Sequence, residues 1–179
     1  PAQITQGKKA RLTAPQVTVA GQAQLADRRL TGKFALRSPA LDLAGGGAID
    51  LGQSRFDGFR IDGRLLKPPA LFPNMTGTDV RIGVRLDGAL ARPNFCYHVS
   101  SPHIAFDNTG CDRGEASGAG VLQGSPVAVP LDLSARRVTG VGDVAGGILA
   151  NLRVKGMLAV TGKLLTGTAL NVTSDKLTG

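Results

Sequence analysis

Apolar and polar residues alternate along much of this chain, most regularly over residues 79–88. In that stretch Val80, Ile82, Val84 and Leu86 share one parity, and arginine, glycine and aspartate fill the other. Side chains of an extended strand point alternately to the two faces of a sheet. The pattern therefore predicts a strand with one dry face and one wet face.

The same alternation recurs between turn signals spaced about eight to twelve residues apart, which is typical of many strands joined by tight turns. The sequence thus predicts about a dozen strands. Their apolar positions are Val17/Val19, Leu30/Phe34/Leu36, Leu41/Leu43, Ile49/Leu51, Phe59/Ile61/Leu65, Val80/Ile82/Val84/Leu86, Phe95/Tyr97/Val99, Ile104/Phe106, Val127/Val129/Leu131/Leu133, Leu152/Val154/Leu158/Val160 and Leu170/Val172.

Two segments depart from this pattern. Residues 65–77 contain three prolines, which central strands do not accept, so a crossing or lid is expected there, with a short turn of helix at 70–72. The division that follows is a first sheet segment at 1–64, the crossing at 65–77 and a second sheet segment at 78–179. Residues 141–152 carry apolar side chains at helical spacing but also Gly146 and Gly147, so that helix and strand both stay open.

Composition supports an all-β chain. Glycine accounts for 25 of 179 residues, about twice the average share of roughly 7%. Glutamate occurs only at Glu115, so good helix formers are scarce where turn formers abound.

The formal charge of +8 narrows the class of partner. Nucleic-acid surfaces usually combine clustered basic residues with aromatic platforms, and this chain has six Phe, one Tyr and no Trp. We therefore expect no nucleic-acid partner, but a solvated sheet face that favours anionic headgroups. The arginines are spread along the sequence rather than packed into one run, as the positions of nine of them show: Arg28, Arg29, Arg55, Arg60, Arg64, Arg81, Arg85, Arg136 and Arg153.

The chain contains no apolar run near the 18 residues of a membrane-spanning helix, and no apolar segment follows its basic N-terminal residues as in a signal peptide. The alternation at Leu170 and Val172 continues almost to the last residue. We expect the chain to be a fragment of a longer exported protein.

Residues 140–145 match the G-x-G-x-x-A variant of the dinucleotide-binding fingerprint. That fingerprint requires a strand-turn-helix context and an acidic residue about 20 positions later. Residues 144–174 contain no Asp or Glu. A chance match in a glycine-rich chain is the preferred interpretation, and no cofactor is expected.

The two cysteines and the two histidines of the chain, Cys96, His98, His103 and Cys111, fall within 16 residues. Two thiolates and two imidazoles can form a tetrahedral zinc site, although this spacing matches no zinc module. A disulfide between Cys96 and Cys111 is the preferred alternative, and free thiols are the third.

The sequence offers no catalytic constellation. Ser117 is flanked by glycines in "GEASG" but lacks the G-x-S-x-G pattern, neither histidine has an Asp partner in a triad order, and no carboxylate pair stands out. We expect no enzyme activity.

Two segments resemble a known family. "VRIGVRLDGALARPNFCYHVSSPHIAFDNTG" (80–110) is similar to the repeated strand unit of the AsmA-like bacterial envelope proteins, the group that includes TamB and YdbH. "LSARRVTGVGDVAGGILANLRVKGMLAVTGKLLTGTALNVTSDKLTG" (133–179) resembles YdbH-type intermembrane phospholipid transport proteins still more closely. The resemblance covers residues 60–179 well and the first 60 only in style.

The resemblance implies an elongated antiparallel sheet curled into an open β-groove in the periplasm. The rest of its own long chain would anchor it in the inner membrane, and an outer-membrane protein would be a further partner. Phospholipid acyl chains would slide along the apolar face, and the isolated fragment would pair its edge strands in a dimer. The expected acyl-chain contacts are Val80, Ile82, Val84, Leu86, Ile104, Phe106, Val127, Val129, Leu131, Leu133, Leu152, Val154, Leu158 and Val160. Two alternatives remain at this point: the same side chains fill the core of a closed β-sandwich, or the chain is a β-helical adhesion module.

Overall fold

The computed structural model describes residues 2–4, 17–70, 73–142, 147–161 and 164–178, and these form one open antiparallel sheet of thirteen strands. All but β6 follow one another across the sheet in chain order, and β6 pairs with β8 beyond the end of β7. The strands are β1 (Ala2–Ile4), β2 (Thr18–Ala26), β3 (Arg29–Arg37), β4 (Leu41–Asp50), β5 (Arg55–Leu65), β6 (Met75–Thr78), β7 (Val80–Ala89), β8 (Asn94–Phe106), β9 (Thr109–Val121), β10 (Val127–Thr139), β11 (Ile148–Thr161), β12 (Leu164–Ser174) and β13 (Leu177–Thr178).

Short turns join most neighbouring strands. β2 and β3 are linked by Asp27 and Arg28, which both have positive φ (48° and 60°), as a two-residue hairpin turn of type I′ requires. Between β4 and β5, the Asp50 carboxylate accepts a hydrogen bond of 2.8 Å from the Gln53 amide. These local devices fix each hairpin and hence the register of the next strand.

The sheet is a single layer. Among the described residues only eight hydrophobic side chains are buried, and no large side chain is fully buried. The chain exposes 11854 Å², whereas a compact monomer of this size exposes about 8,200 Å². Extensive contacts between strands are confined to pairs that also share a ladder. No second sheet or helix covers either face in the described part of the chain.

Five residues at matching positions of neighbouring strands form a line that we call the crease: Asp79, Pro102, Arg113, Arg136 and Asn151. Asp79 separates β6 from β7. The other four residues are unpaired in the ladders, although the residues on both sides of them pair regularly with the neighbouring strands. Asp79, Arg113 and Asn151 have positive φ of 50°, 50° and 51°. The crease is therefore a row of β-bulge-like irregularities that runs across the strands.

The crease changes the phase of the apolar alternation. Val99 and Ile104 are five residues apart and would point to opposite faces of a regular strand, yet both pack against one buried cluster of Leu65, Met75 and Val80. Both buried clusters found among the described residues border the crease. The second consists of Ala135, Val138 and Leu149, with Cys111, Val141 and Leu152 against it. One extra residue per strand thus keeps the same face apolar on both sides of the crease.

The structure confirms the predicted all-β class and the open antiparallel sheet of about a dozen strands. The expected curl is wrong, because the sheet is uncurled. The strands contact mainly their ladder neighbours, so no packing force draws the two edges together. The strands are also longer than the expected short ones: β8 to β11 have 13 or 14 residues, against a usual five to six.

The crossing is shorter than residues 65–77. Leu65 ends β5, and Met75 begins β6. Between them Pro68–Ala70 forms a 3₁₀ turn. A short turn of helix was expected at 70–72, of which residues 71–72 lie outside the described residues. β5 pairs directly with β7, so the sheet continues past the crossing.

Of the helix considered at 141–152, residues 143–146 lie outside the described residues and 148–152 belong to β11. β-Strand pairing with β10 supplies hydrogen bonds that a helix with two central glycines would have to replace at a cost.

Candidate functional site: an uncovered apolar sheet face

One face of the sheet carries a continuous apolar row that crosses ten strands. Each member lies directly opposite the next in the ladders. At about 4.8 Å between strands the row is about 43 Å long. Its members, in order across the sheet, are Val19, Leu36, Leu43, Gly63, Ile82, Val99, Ala116, Leu133, Val154 and Val172.

The predicted contact residues lie at varied depths. Val80 is buried with 2% exposure, whereas Ile82 and Phe106 are 38% and 46% exposed. The remaining eleven are half-buried: Val84, Leu86, Ile104, Val127, Val129, Leu131, Leu133, Leu152, Val154, Leu158 and Val160. Val80 is held in a cluster beside the crease and offers little surface to a ligand.

Large side chains on this face lie over glycines of neighbouring strands. A Cβ added to Gly63 would lie 2.8 Å from Leu43 Cδ2, and one added to Gly45 would lie 2.7 Å from the Phe34 ring. Over Gly118 lies the ring of Tyr97, again at 2.7 Å. Side chains that lie flat on glycine cover some of the apolar surface that a second layer would otherwise bury. This arrangement gives the high glycine content a structural role.

Tyr97 joins strands that are not neighbours. Its hydroxyl donates a hydrogen bond of 2.8 Å to the carbonyl of Pro130, two strands away across β9. At Gly118 a Cβ would lie 2.0 Å from that carbonyl oxygen, so only glycine fits between them. Partial burial raises the pKa of the Tyr97 hydroxyl above its ordinary value of 10.0.

The prediction omitted several residues of the apolar face. Leu36, Leu43 and Val99 belong to the ten-strand row, and their alternation was visible in the sequence. Val138 and Leu149 are buried beside the crease. Nothing in the alternation indicates them, because the crease shifts its phase there.

The opposite face carries the charged residues. Asp79 is central to it: Arg81 Nη2 donates a hydrogen bond of 2.8 Å to Asp79 Oδ2, and Arg64 Nε lies 2.6 Å from Oδ1. The hydrogen bond from Arg81 holds the pKa of Asp79 below its ordinary value of 3.8. Arg29 likewise lowers the pKa of Asp57 through a hydrogen bond.

The predicted disulfide is not formed, because Cys96 and Cys111 are both free thiols. Cys96 is exposed opposite Ala119, whereas Cys111 pairs with Ile104, eight residues further along β8. That separation is about 27 Å. Burial, with a smaller contribution from the charge of Asp112, raises the pKa of the Cys111 thiol above 9.0.

The structure does not bring the two cysteines and two histidines together as zinc ligands. Cys111 packs with apolar Val138 and Leu149, whereas His103 Nδ1 lies 2.6 Å from Asp112 Oδ1. Across the described residues no group of three or more potential metal ligands was found.

The match to a dinucleotide fingerprint has a backbone explanation. Gly140 has a φ of 78°, and a Cβ there would lie 1.8 Å from the Asn108 carbonyl oxygen. The following strand, β11, runs antiparallel to β10, so the strand-helix-strand unit of a nucleotide site is absent from the described segments. Ser117 lies on the charged face of β9 opposite Asp132 and His98.

No protein-family model, curated protein or solved structure matches this chain. Within the described residues, helices long and apolar enough to cross a membrane were not found. The function therefore has to be inferred from the sheet and its two faces.

Proposed function

We propose that this chain is a non-catalytic, lipid-conducting segment of a bacterial cell-envelope protein. Its apolar face would hold phospholipid acyl chains as they pass between the inner and outer membranes. The observation that carries the proposal is the ten-strand apolar row, which no second layer covers in the described part of the chain. A contiguous exposed apolar face larger than a few hundred Å² usually marks a binding surface.

The resemblance of residues 80–110 and 133–179 to AsmA-like envelope proteins favours lipid as the occupant. The alternatives need features that the described residues lack: a closed sandwich needs a second sheet, and a β-helix needs parallel strands. The antiparallel single layer supplies neither.

The energetics agree with a conduit that holds lipid without fixing it. Each buried methylene contributes about 0.8 kcal/mol. On an uncurled sheet an acyl chain keeps one side exposed, so ten half-buried methylenes would contribute about 4 kcal/mol. The row consists of aliphatic side chains, Gly63 and Ala116, and it offers no polar group that would hold a chain at one position.

Protein purified without detergent tests this proposal by mass spectrometry of its organic extract. We expect phospholipid at near-stoichiometric amounts. Changing Val84, Leu131 and Val154 together to Asp should abolish it, because three carboxylates would then lie on the apolar face.

A matched control adds the same three charges to the opposite face, at Ser100, Ser117 and Ser134. We expect this variant to keep its lipid. Circular dichroism establishes that both variants remain folded. A lipid-free wild-type protein, or equal lipid loss from both variants, would contradict the proposal.

A further inference from the structure

The charged face contains a cluster of cations that the linear sequence disperses. Ladder pairing places Lys33 opposite Gly46, Gly46 opposite Arg60, and Arg60 opposite Arg85. These three cations form a basic row across β3, β4, β5 and β7. Directly opposed like charges destabilise a sheet, so the row needs a reason for its presence.

Few carboxylates neutralise the basic row. Arg60 pairs with Asp62 on its own strand, with Arg60 Nε 2.9 Å from Asp62 Oδ2, but the two side chains are 69% and 52% exposed. Such exposed ion pairs are weak and exchange readily with other partners. Lys33 and Arg85 have no hydrogen-bond or ion-pair partner among the described residues. The nearby Asp57 is hydrogen-bonded by Arg29, and its attraction to Arg85 acts only at longer range.

The surface beside the basic row is recessed. Gly83 lies opposite Asp62 on one side and His98 on the other, and it has no side chain to fill the space between them. The resulting open depression, about 520 Å³, is lined by Arg60, Arg85 and His98 among others. Its volume lies in the range of about 300–1,000 Å³ that is common for small-ligand sites.

We propose that Arg60, Arg85 and His98 bind a phosphate-type oxyanion between the two guanidinium groups, beside Gly83. Guanidinium groups bind phosphate oxygens with paired, charge-assisted hydrogen bonds. An anion between Arg60 and Arg85 would also remove their mutual repulsion. The chemistry is that of a phosphate monoester or diester, whether a free phosphate compound or a lipid headgroup carries it.

This site lies on the opposite face from the apolar row. A lipid whose acyl chains lie on the apolar face does not reach it through the sheet, so the two proposals are independent. Loss of lipid from the apolar-face variant would leave the oxyanion site intact, and loss of oxyanion binding would leave acyl-chain binding intact.

Calorimetric titration of the chain with inorganic phosphate at fixed low ionic strength tests the proposal. We expect saturable binding to wild-type protein, weakened about tenfold or more by Arg85→Gln, since charge-assisted hydrogen bonds are lost. Arg136→Gln is the matched control, because it removes one exposed arginine at the crease that has no ion-pair partner among the described residues. It should weaken binding by less than about twofold.

A second variant guards against a structural explanation. Gly83→Asp places a carboxylate in the depression, and its Cβ would meet its nearest neighbour, Asp62 Oδ1, at an ordinary 3.6 Å. We expect it to abolish phosphate binding while the circular dichroism spectrum is unchanged. Equal weakening by Arg85→Gln and Arg136→Gln, or the absence of saturable binding, would overturn the proposal.

Vesicle sedimentation separates the two sources of phosphate. The ligand is a lipid headgroup if three results hold together: wild-type protein sediments with phosphatidylglycerol vesicles, inorganic phosphate reduces that binding, and Arg85→Gln protein no longer binds the vesicles. If inorganic phosphate binds saturably but vesicles show no dependence on Arg85, the ligand is a soluble phosphate compound. Both results support the oxyanion site and assign its source.

Discussion

Leu43 and Gly63 lie directly opposite each other on β4 and β5 of the apolar face. Their contact allows a quantitative prediction of how substitutions at the two positions change the free energy of unfolding. Leu43 Cδ2 occupies the space above Gly63, 2.8 Å from where a Cβ would lie. An alanine at position 63 must displace that methyl group. The Gly63 backbone has no positive φ and its other neighbours are 3.8 Å away, so alanine is otherwise accommodated.

The magnitude follows from the atoms involved. Leu43→Ala removes three carbon atoms from a half-buried side chain, which costs about 1.2 kcal/mol at half of about 0.8 kcal/mol per carbon. We assign about 0.8 kcal/mol of this total to the methyl group that lies on Gly63, counted as fully buried, and the remainder, about 0.4 kcal/mol, to the other two carbons. We therefore expect Leu43→Ala to cost only about 0.4 kcal/mol in a Gly63→Ala background. Gly63→Ala itself should stabilise the Leu43→Ala protein by about 0.4–1 kcal/mol, because alanine restricts the unfolded chain.

Urea unfolding of the wild-type protein, the two single variants and the double variant measures this coupling. Distant sites add to within about 0.3–0.5 kcal/mol. A coupling of about 0.8 kcal/mol would therefore be resolved. Additive effects would refute the inference that side chains lying on glycine stabilise the single layer.

Three further predictions concern single groups. Asp79 has a lowered pKa, so its contribution to stability is complete above about pH 4 and is lost as pH falls through the lowered value. In Asp79→Asn protein, the midpoint of urea unfolding should therefore fall less steeply as the pH is lowered below about 4 than it does in the wild-type protein. Asp132→Asn removes a carboxylate from an exposed pair with Lys155 and should leave that dependence on pH unchanged. Tyr97→Phe should cost about 1 kcal/mol in urea unfolding by leaving the Pro130 carbonyl without its hydrogen bond; an unchanged midpoint would contradict that role. Cys96 should react with a thiol reagent at pH 8 well before Cys111, whose pKa is raised by burial; the order is read from labelled peptides by mass spectrometry, and a faster Cys111 would contradict the placement.

The sequence was sufficient to predict the all-β class and most strand positions, because alternation reports which side of a strand is apolar. The crease was not predictable in the same way. A residue such as Arg136 breaks the alternation by one position, and only its alignment with Arg113 and Asn151 reveals a common line across the sheet. Val138 and Leu149 were missed for that reason.

The basic row shows a second limit of sequence reasoning. Arg60 and Arg85 are 25 positions apart in the sequence and read as dispersed charge. The pairing of β5 with β7 places them directly opposite each other. Cys96 and Cys111 illustrate the converse, because their short separation in sequence becomes about 27 Å along an extended hairpin.

The most direct test of the central claim exploits the absence of tryptophan from the chain. Leu133 belongs to the apolar row, and its neighbour Ser134 points to the opposite face. Leu133→Trp and Ser134→Trp therefore place one fluorophore on each face at the same position in the sheet. Titration with phospholipid brominated in its acyl chains should quench the fluorescence of Trp at position 133 and leave that at position 134 nearly unchanged. Equal quenching at both positions, or none at position 133, would contradict acyl-chain binding on the apolar face.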